Sequence, residues 1–174
     1  MKNNKYDPED ARWLRIAIAS EKKALRQYLE YALRTTDRSG KDMFLKLARD
    51  EFSHMAALEK ELGRMQDGRA WERIKIPASD IEKLAPRLKK TGLNADQASK
   101  DETQALGLAI KDEDKASGFY RAKACQTSSS TAKVLLNRLA DMEQAHSQIL
   151  RAELDNIRQT GFWMNTREIS FEMA

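Results

Sequence analysis

The chain has 174 residues, 41% hydrophobic and 33% charged, with a formal net charge of +4. That length suffices to bury a core, and the composition is that of a soluble globular protein, which excludes a disordered chain. No apolar run approaches the ~18 residues of a membrane span, and the scattered basic residues, with no aromatics between them, argue against a nucleic-acid partner.

Taken in chain order, residues 1–7 lack the apolar stretch of a signal peptide, so a cytoplasmic location is expected. Leu14, Ala17, Ile18, Glu21, Leu25, Tyr28 and Ala32 then recur at the 3, 4 spacing of one helix face. Asp37-Arg38-Ser39-Gly40 supplies turn chemistry. A second helix carries Phe44, Leu47, Ala48, Glu51, His54, Met55, Leu58 and Leu62 on one face and fades near residues 63–68. In the next segment, Pro77-Ala78-Ser79-Asp80 introduces a short helix expected over residues 81–90 and ended by Gly92. Ser99-Lys100-Asp101-Glu102 has capping-box spacing for a third long helix. That helix presents Leu106, Ala109, Ile110, Glu113, Ala116, Tyr120 and Ala124. Thr127-Ser128-Ser129-Ser130 turns the chain into a fourth, with Leu136, Leu139, Glu143, His146, Leu150, Leu154 and Ile157.

The second pair of helices repeats the first. Shifting the chain by 92 positions aligns residues 14–62 with 106–154 and matches, among others, Ala17 with Ala109, Tyr28 with Tyr120, Leu47 with Leu139 and Leu58 with Leu150. Each unit therefore reads as a helical hairpin. The expected domain is one all-α four-helix bundle over residues 1–174. It divides into hairpin one (about 8–64), a crossover with a short helix (about 65–99), hairpin two (about 100–160) and a tail (161–174).

The repeat also carries the chemistry. The chain's two histidines close two Glu-x-x-His patterns, Glu51 with His54 and Glu143 with His146, and Glu21 and Glu113 each precede their pattern by 30 residues. Positions i and i+3 share a helix face, so each pattern presents a carboxylate beside an imidazole. The midpoints between Glu21 and Glu51 and between Glu113 and Glu143 fall at residues 36 and 128, at the expected turns. Each hairpin thus holds its glutamates at one height, roughly 22 Å from its turn at 1.5 Å per residue. All six residues lie within apolar stripes, where an unpaired carboxylate costs several kcal/mol. The repeated lysines Lys23, Lys115, Lys41 and Lys133 lie off those stripes. Two divalent ions would balance four carboxylates and two neutral imidazoles. The set resembles that of known di-metal carboxylate bundles, a resemblance that implies Glu51 and Glu143 as bridging ligands, Glu21 and Glu113 as terminal carboxylates, and one histidine on each metal. Carboxylate and imidazole donors without thiolate suit Fe(II) or Mn(II) better than structural zinc.

Other residues admit plainer readings. Tyr28 and Tyr120 lie two turns beyond Glu21 and Glu113, either orienting a ligand by a hydrogen bond or packing as core tyrosines. Glu61 and Glu153 are expected in ordinary ion pairs. Cys125, the single cysteine, allows no internal disulfide and is expected to pack as a small hydrophobe. The tail residues Phe162, Trp163, Ile169 and Phe171 suggest docking on the bundle or on a second subunit, and a homodimer is expected.

The string Glu21-x-x-Ala24-x-x-x-Tyr28, then Leu47-Ala48-Arg49-Asp50-Glu51-x-x-His54, resembles the rubrerythrin branch of the ferritin-like superfamily, over roughly residues 10–160. The ligand set is that of its di-iron and di-manganese carboxylate members. The resemblance implies two iron ions, with manganese or a mixed pair as alternatives, held by Glu21, Glu51, His54, Glu113, Glu143 and His146. It implies a redox protein reacting with hydrogen peroxide or O2. Two departures stand out. Rubrerythrins carry a rubredoxin module with four iron-binding cysteines; the lone Cys125 here means that electrons come from a separate donor protein. They also carry a further glutamate, linked to redox-dependent movement of one iron, where this chain has Ile110. The competing readings are ferritin-like iron oxidation and storage, a di-iron hydroxylase of an organic substrate, and a non-catalytic metal-stabilised bundle.

Overall fold

Four long helices and one short one make up the computed structural model, which describes residues 8–84 and 100–164. They are α1 (Pro8–Arg34), α2 (Arg38–Gln66), α3 (Asp80–Leu84), α4 (Lys100–Gln126) and α5 (Ser130–Thr160). The architecture is the all-α ferritin-like bundle of two helical hairpins. Of the crossover helix expected over residues 81–90, the described part is α3; the remainder, with Gly92 and the capping-box Ser99, lies outside the described residues, as do Ile169 and Phe171 of the tail.

Local chemistry sets each boundary. Proline opens α1 with Glu9 and Asp10 in its first turn, as the missing N–H and the helix dipole favour. Asp37 caps α2, its Oδ1 accepting from the backbone N–H groups of Ser39 at 2.7 Å and Gly40 at 3.0 Å. The expected turn therefore shortens: Arg38, Ser39 and Gly40 form the first turn of α2, and only Asp37 serves as the cap. Ser129 caps α5 in the same way through Ala132 N–H at 3.2 Å. Gly161, in the left-handed region with φ 83°, ends α5 by donating to the Ile157 carbonyl.

Two apolar clusters fill the bundle, one towards each end. The first joins the start of α1 to the end of α2 through Trp13, Leu14, Leu58 and Met65, with Tyr120, Leu136 and Leu139 from hairpin two. The second joins Tyr28, Phe44 and Leu47 to Leu106, Ile149 and Leu150. The tail closes this second end. Trp163 is buried edge-on against Phe44, with ring centroids 5.6 Å apart, so within the described residues the tail docks on its own bundle.

The crossover is tied down by polar contacts. Trp13 and Trp71 stack with centroids 5.6 Å apart, and Asp10 accepts from both indoles, at 3.0 and 3.2 Å. Arg138 of α5 grips Glu82 with two guanidinium nitrogens and also reaches the Ile76 and Pro77 carbonyls. Arg49 pairs with Asp80 at 2.8 Å. Ser79 and Glu82 form a reciprocal capping box at the start of α3.

Candidate metal centre

Between the two apolar clusters lies a polar layer. Glu21 comes from α1, Glu51 and His54 from α2, Glu113 from α4, Glu143 and His146 from α5, and none is more than 4% exposed. All six expected residues converge. They form two overlapping groups, Glu21, Glu51, His54 and Glu143, and Glu51, Glu113, Glu143 and His146; within each, one donor atom per residue lies within 4.8 Å of the others. Glu51 and Glu143 belong to both groups.

The imidazoles face the carboxylates through Nδ1. His54 Nδ1 stands 3.0 Å from Glu143, 3.5 Å from Glu21 and 3.7 Å from Glu51. His146 Nδ1 stands 3.1 Å from both Glu51 and Glu143 and 3.6 Å from Glu113. One ring nitrogen carries at most one hydrogen and cannot satisfy three carboxylates. Several of these approaches also fail the directional demands of a hydrogen bond. Glu21 Oε2, Glu51 Oε1, Glu143 Oε1 and both ring nitrogens of His54 are buried without a hydrogen-bond partner among the described residues. Buried polar groups are rarely left so. Unpartnered donor atoms crowded within 4.8 Å of one another are what a metal site requires, and the residues fit one.

Charge supports the same conclusion. Among the described residues no lysine or arginine is buried, and the ion pairs of the four glutamates involve only the two histidines. The repeated lysines are all exposed. Left to themselves, the six residues can balance charge only by taking up protons. Burial, reinforced by the charges of neighbouring glutamates, pushes the Glu21 and Glu113 carboxyls well above their usual range. Burial opposes ionisation of Glu51 and Glu143 too, but the histidines facing them hold both below it. Both imidazoles are raised despite the burial that disfavours their charge, because carboxylates surround them.

Both tyrosines bond to the cluster across the bundle. Tyr28 donates its hydroxyl hydrogen to Glu113 Oε1, and Tyr120 donates to Glu21 Oε1. Each hairpin therefore holds the lone glutamate of the other by a hydrogen bond. Burial, and then the charge of the glutamate each one faces, pushes both phenols well above the usual value, so they remain donors.

A groove between α1 and α4 leads to this layer. Its volume is about 420 Å³; Glu21, Glu51, Glu113 and both tyrosines line its floor, and Lys23, Asp112 and Lys115 line its mouth. Asp112 accepts from Lys23 at 3.5 Å and from Lys115 at 3.3 Å.

Some neighbouring residues depart from expectation. Glu61 keeps an ion pair, with Arg64, and like Glu153 is also a buried acceptor for backbone returning past a helix end. Glu61 takes the Glu72 N–H at 3.3 Å, with Arg64 Nε at 4.0 Å, and Glu153 takes the Met164 N–H at 2.6 Å. The tertiary course of the crossover and tail, which no local pattern reveals, puts those N–H groups there. Cys125 is exposed rather than packed, because its position on α4 faces away from the bundle. One site-adjacent residue stands in the Leu47 to His54 string but is given no role by the repeat: Asp50, buried, with Oδ2 3.2 Å from His146 Nε2. Its signal is a break in the repeat, since position 142 is methionine. Ile110 is buried in the second apolar cluster, so no carboxylate stands where the resemblance would place a further glutamate.

A four-helix bundle with two Glu-x-x-His patterns and two facing glutamates on its inner surfaces belongs to the ferritin-like class. The family model for rubrerythrin matches residues 13–154, and the chain belongs to the rubrerythrin family. Among solved structures it is similar to a hypothetical protein from Pyrococcus furiosus, with a TM-score of 0.68 and 24% identity over 88% of this chain and 93% of that one. That likeness concerns the fold alone. A search of curated protein sequences finds no match.

Proposed function

We propose that the Glu/His cluster holds two iron ions and that the protein is a redox enzyme reacting with hydrogen peroxide or O2. The observation that carries this reading is the convergence of six buried donor groups, unpaired by any lysine or arginine among the described residues, into two groups sharing Glu51 and Glu143. A pair of such ions, when bound, supplies the electrons and the open coordination positions that peroxide or O2 reduction needs. The chain's own part is positional. Glu51 and Glu143, which belong to both groups, would hold both ions, and Tyr28 and Tyr120 would steady Glu113 and Glu21 by hydrogen bonds from across the bundle. The α1/α4 groove gives a small oxidant a route to the floor of the site, while the apolar clusters at either end keep bulk water out.

Manganese or a mixed pair fits the same donors. The exposed lone Cys125 supports the view that a separate protein delivers electrons. A cytoplasmic homodimer is part of the same proposal; among the described helices none is long and apolar enough to cross a membrane. Because Trp163 is spent on its own bundle, the residues that favour a dimer are the exposed Leu29, Leu33, Leu45 and Phe52 of hairpin one. Sedimentation equilibrium tests it: a monomer at micromolar concentration would end that part.

The test of function is anaerobic Fe(II) loading followed by rapid mixing with O2 and, separately, with H2O2. Faster oxidation of the loaded protein by peroxide supports a peroxidase despite Ile110. Faster oxidation by O2 supports an oxidase, and growth of a large iron-filled shell supports the storage reading. Loaded protein inert to both oxidants would leave a structural metal site.

A further inference from the structure

The two halves of the cluster share a ligand pattern but not its support. His146 turns Nδ1 inwards and Nε2 towards Asp50 Oδ2, 3.2 Å away. Asp50 is buried and belongs to α2, so it reaches across from hairpin one. It precedes Glu51 in the chain, and the ~100° step between adjacent helical residues lets the two carboxylates serve different sides of the same imidazole. In the repeat, the counterpart of Asp50 is Met142, also buried, whose thioether is only a weak acceptor. Correspondingly, His54 Nε2 is buried without a hydrogen-bond partner among the described residues.

This difference bears directly on metal binding. A neutral imidazole that binds through Nδ1 carries its hydrogen on Nε2. In one half, Asp50 accepts that hydrogen, fixes the ring's orientation and strengthens the ring as a donor. In the other half the same hydrogen meets no acceptor among the described residues. Outer partners of this kind change metal affinity roughly 10–100-fold.

We infer that the two half-sites are inequivalent, so that the half built on Glu113 and His146 takes a divalent ion before the half built on Glu21 and His54, with Asp50 as the positioning residue. This rests on the dimetal reading above.

The two histidines are the chain's only ones, and one lies in each half, so each half has its own reporter. The experiment follows 15N-labelled histidine ring signals by NMR while Zn(II), a diamagnetic probe, is added in substoichiometric steps to the full chain. The His146 ring, recognised as the one Asp50→Asn perturbs, should reach its bound position first, with at least about a ten-fold preference. Asp50→Ala should lower that preference roughly 10–100-fold. Asp50→Asn, whose amide oxygen still accepts, should keep the order, which a merely structural role for Asp50 would not predict. If both rings fill together, or His54 fills first, the inequivalence is overturned while the dimetal site stands. If neither ring responds to Zn(II), the metal site itself is lost and the inference falls with it. Should Asp50→Ala not fold, the wild-type filling order and the Asp50→Asn titration still decide the matter.

Discussion

Hairpin one and hairpin two are copies inside and strangers outside. Facing the bundle axis, each contributes one lone glutamate, one Glu-x-x-His and one tyrosine, and each tyrosine serves the opposite hairpin. On the outer groove the copies part. Leu29, Leu33, Leu45 and Phe52 are exposed on hairpin one, where the repeat places Arg121, Cys125, Asn137 and Gln144 on hairpin two. There Arg121 binds Asn137 and Asp141, and Asp114 binds Arg151 and Ser147. The difference shows which constraints are shared. Six donors that converge in one buried layer tolerate little drift, whereas a surface facing solvent can be rewritten freely.

The strongest way to break the comparison is to remove a ligand that the hairpins share. Glu143→Ala or Glu51→Ala strips both halves and should take bound metal from two ions per chain to near none. Glu21→Ala or Glu113→Ala should leave about one. Metal analysis after anaerobic loading distinguishes them, and equal losses from all four would refute the division into shared and terminal ligands.

Next in size is a contrast in pH response between Glu153 and its repeat counterpart Glu61. Burial pushes Glu153 up to about 8, against the opposing pull of the Met164 N–H. Burial likewise raises Glu61, though the Glu72 N–H and Arg64 counter it. A carboxyl whose folded pKa is raised contributes its stability in full below the ordinary carboxylate range and loses it as pH climbs through the folded value. The chain should therefore lose on the order of a few kcal/mol between about pH 5 and pH 8 through Glu153. Denaturant unfolding across that range should show a flattened slope for Glu153→Gln and a smaller change for Glu61→Gln; unchanged slopes would show that Glu153 is already ionised.

The crossed tyrosines should behave alike. Tyr28→Phe and Tyr120→Phe each delete a hydrogen bond to a buried carboxylate, a change of about 1.5–3 kcal/mol. Their unfolding energies should agree closely, and a large gap would mean that the two glutamates differ in environment more than their hydrogen bonds show. The smallest effects come from a pair where the copies differ by one methyl group. A Cβ at Gly40 would stand 2.6 Å from the Trp163 ring, so Gly40→Ala should cost about 1–3 kcal/mol by overpacking. Its counterpart Ala132→Gly should cost about 0.5–1 kcal/mol through backbone entropy, as chemical denaturation can measure.

The repeat made the inner surface legible before any coordinates. Periodic apolar residues located the helices, and the midpoints at residues 36 and 128 placed the glutamates at matching heights. The same logic hid Asp50, because matching the copies discards positions where they differ, and Asp50 matters because Met142 does not match it. The backbone partners of Glu61 and Glu153 are illegible in the sequence for another reason: Glu72 and Met164 sit in the crossover and tail, which have no counterpart in the repeat. Trp163 seated on Gly40 is likewise a long-range packing fact without a local signature, and Cys125 was misplaced because a small side chain fits either face of a helix.

The central claim is that six buried side chains bind a pair of metal ions. Equilibrium dialysis of the full chain against Fe(II) under strictly anaerobic conditions, with bound iron counted per chain, tests it most directly. The account predicts two ions per chain in the wild type, and a count of one or none would contradict it.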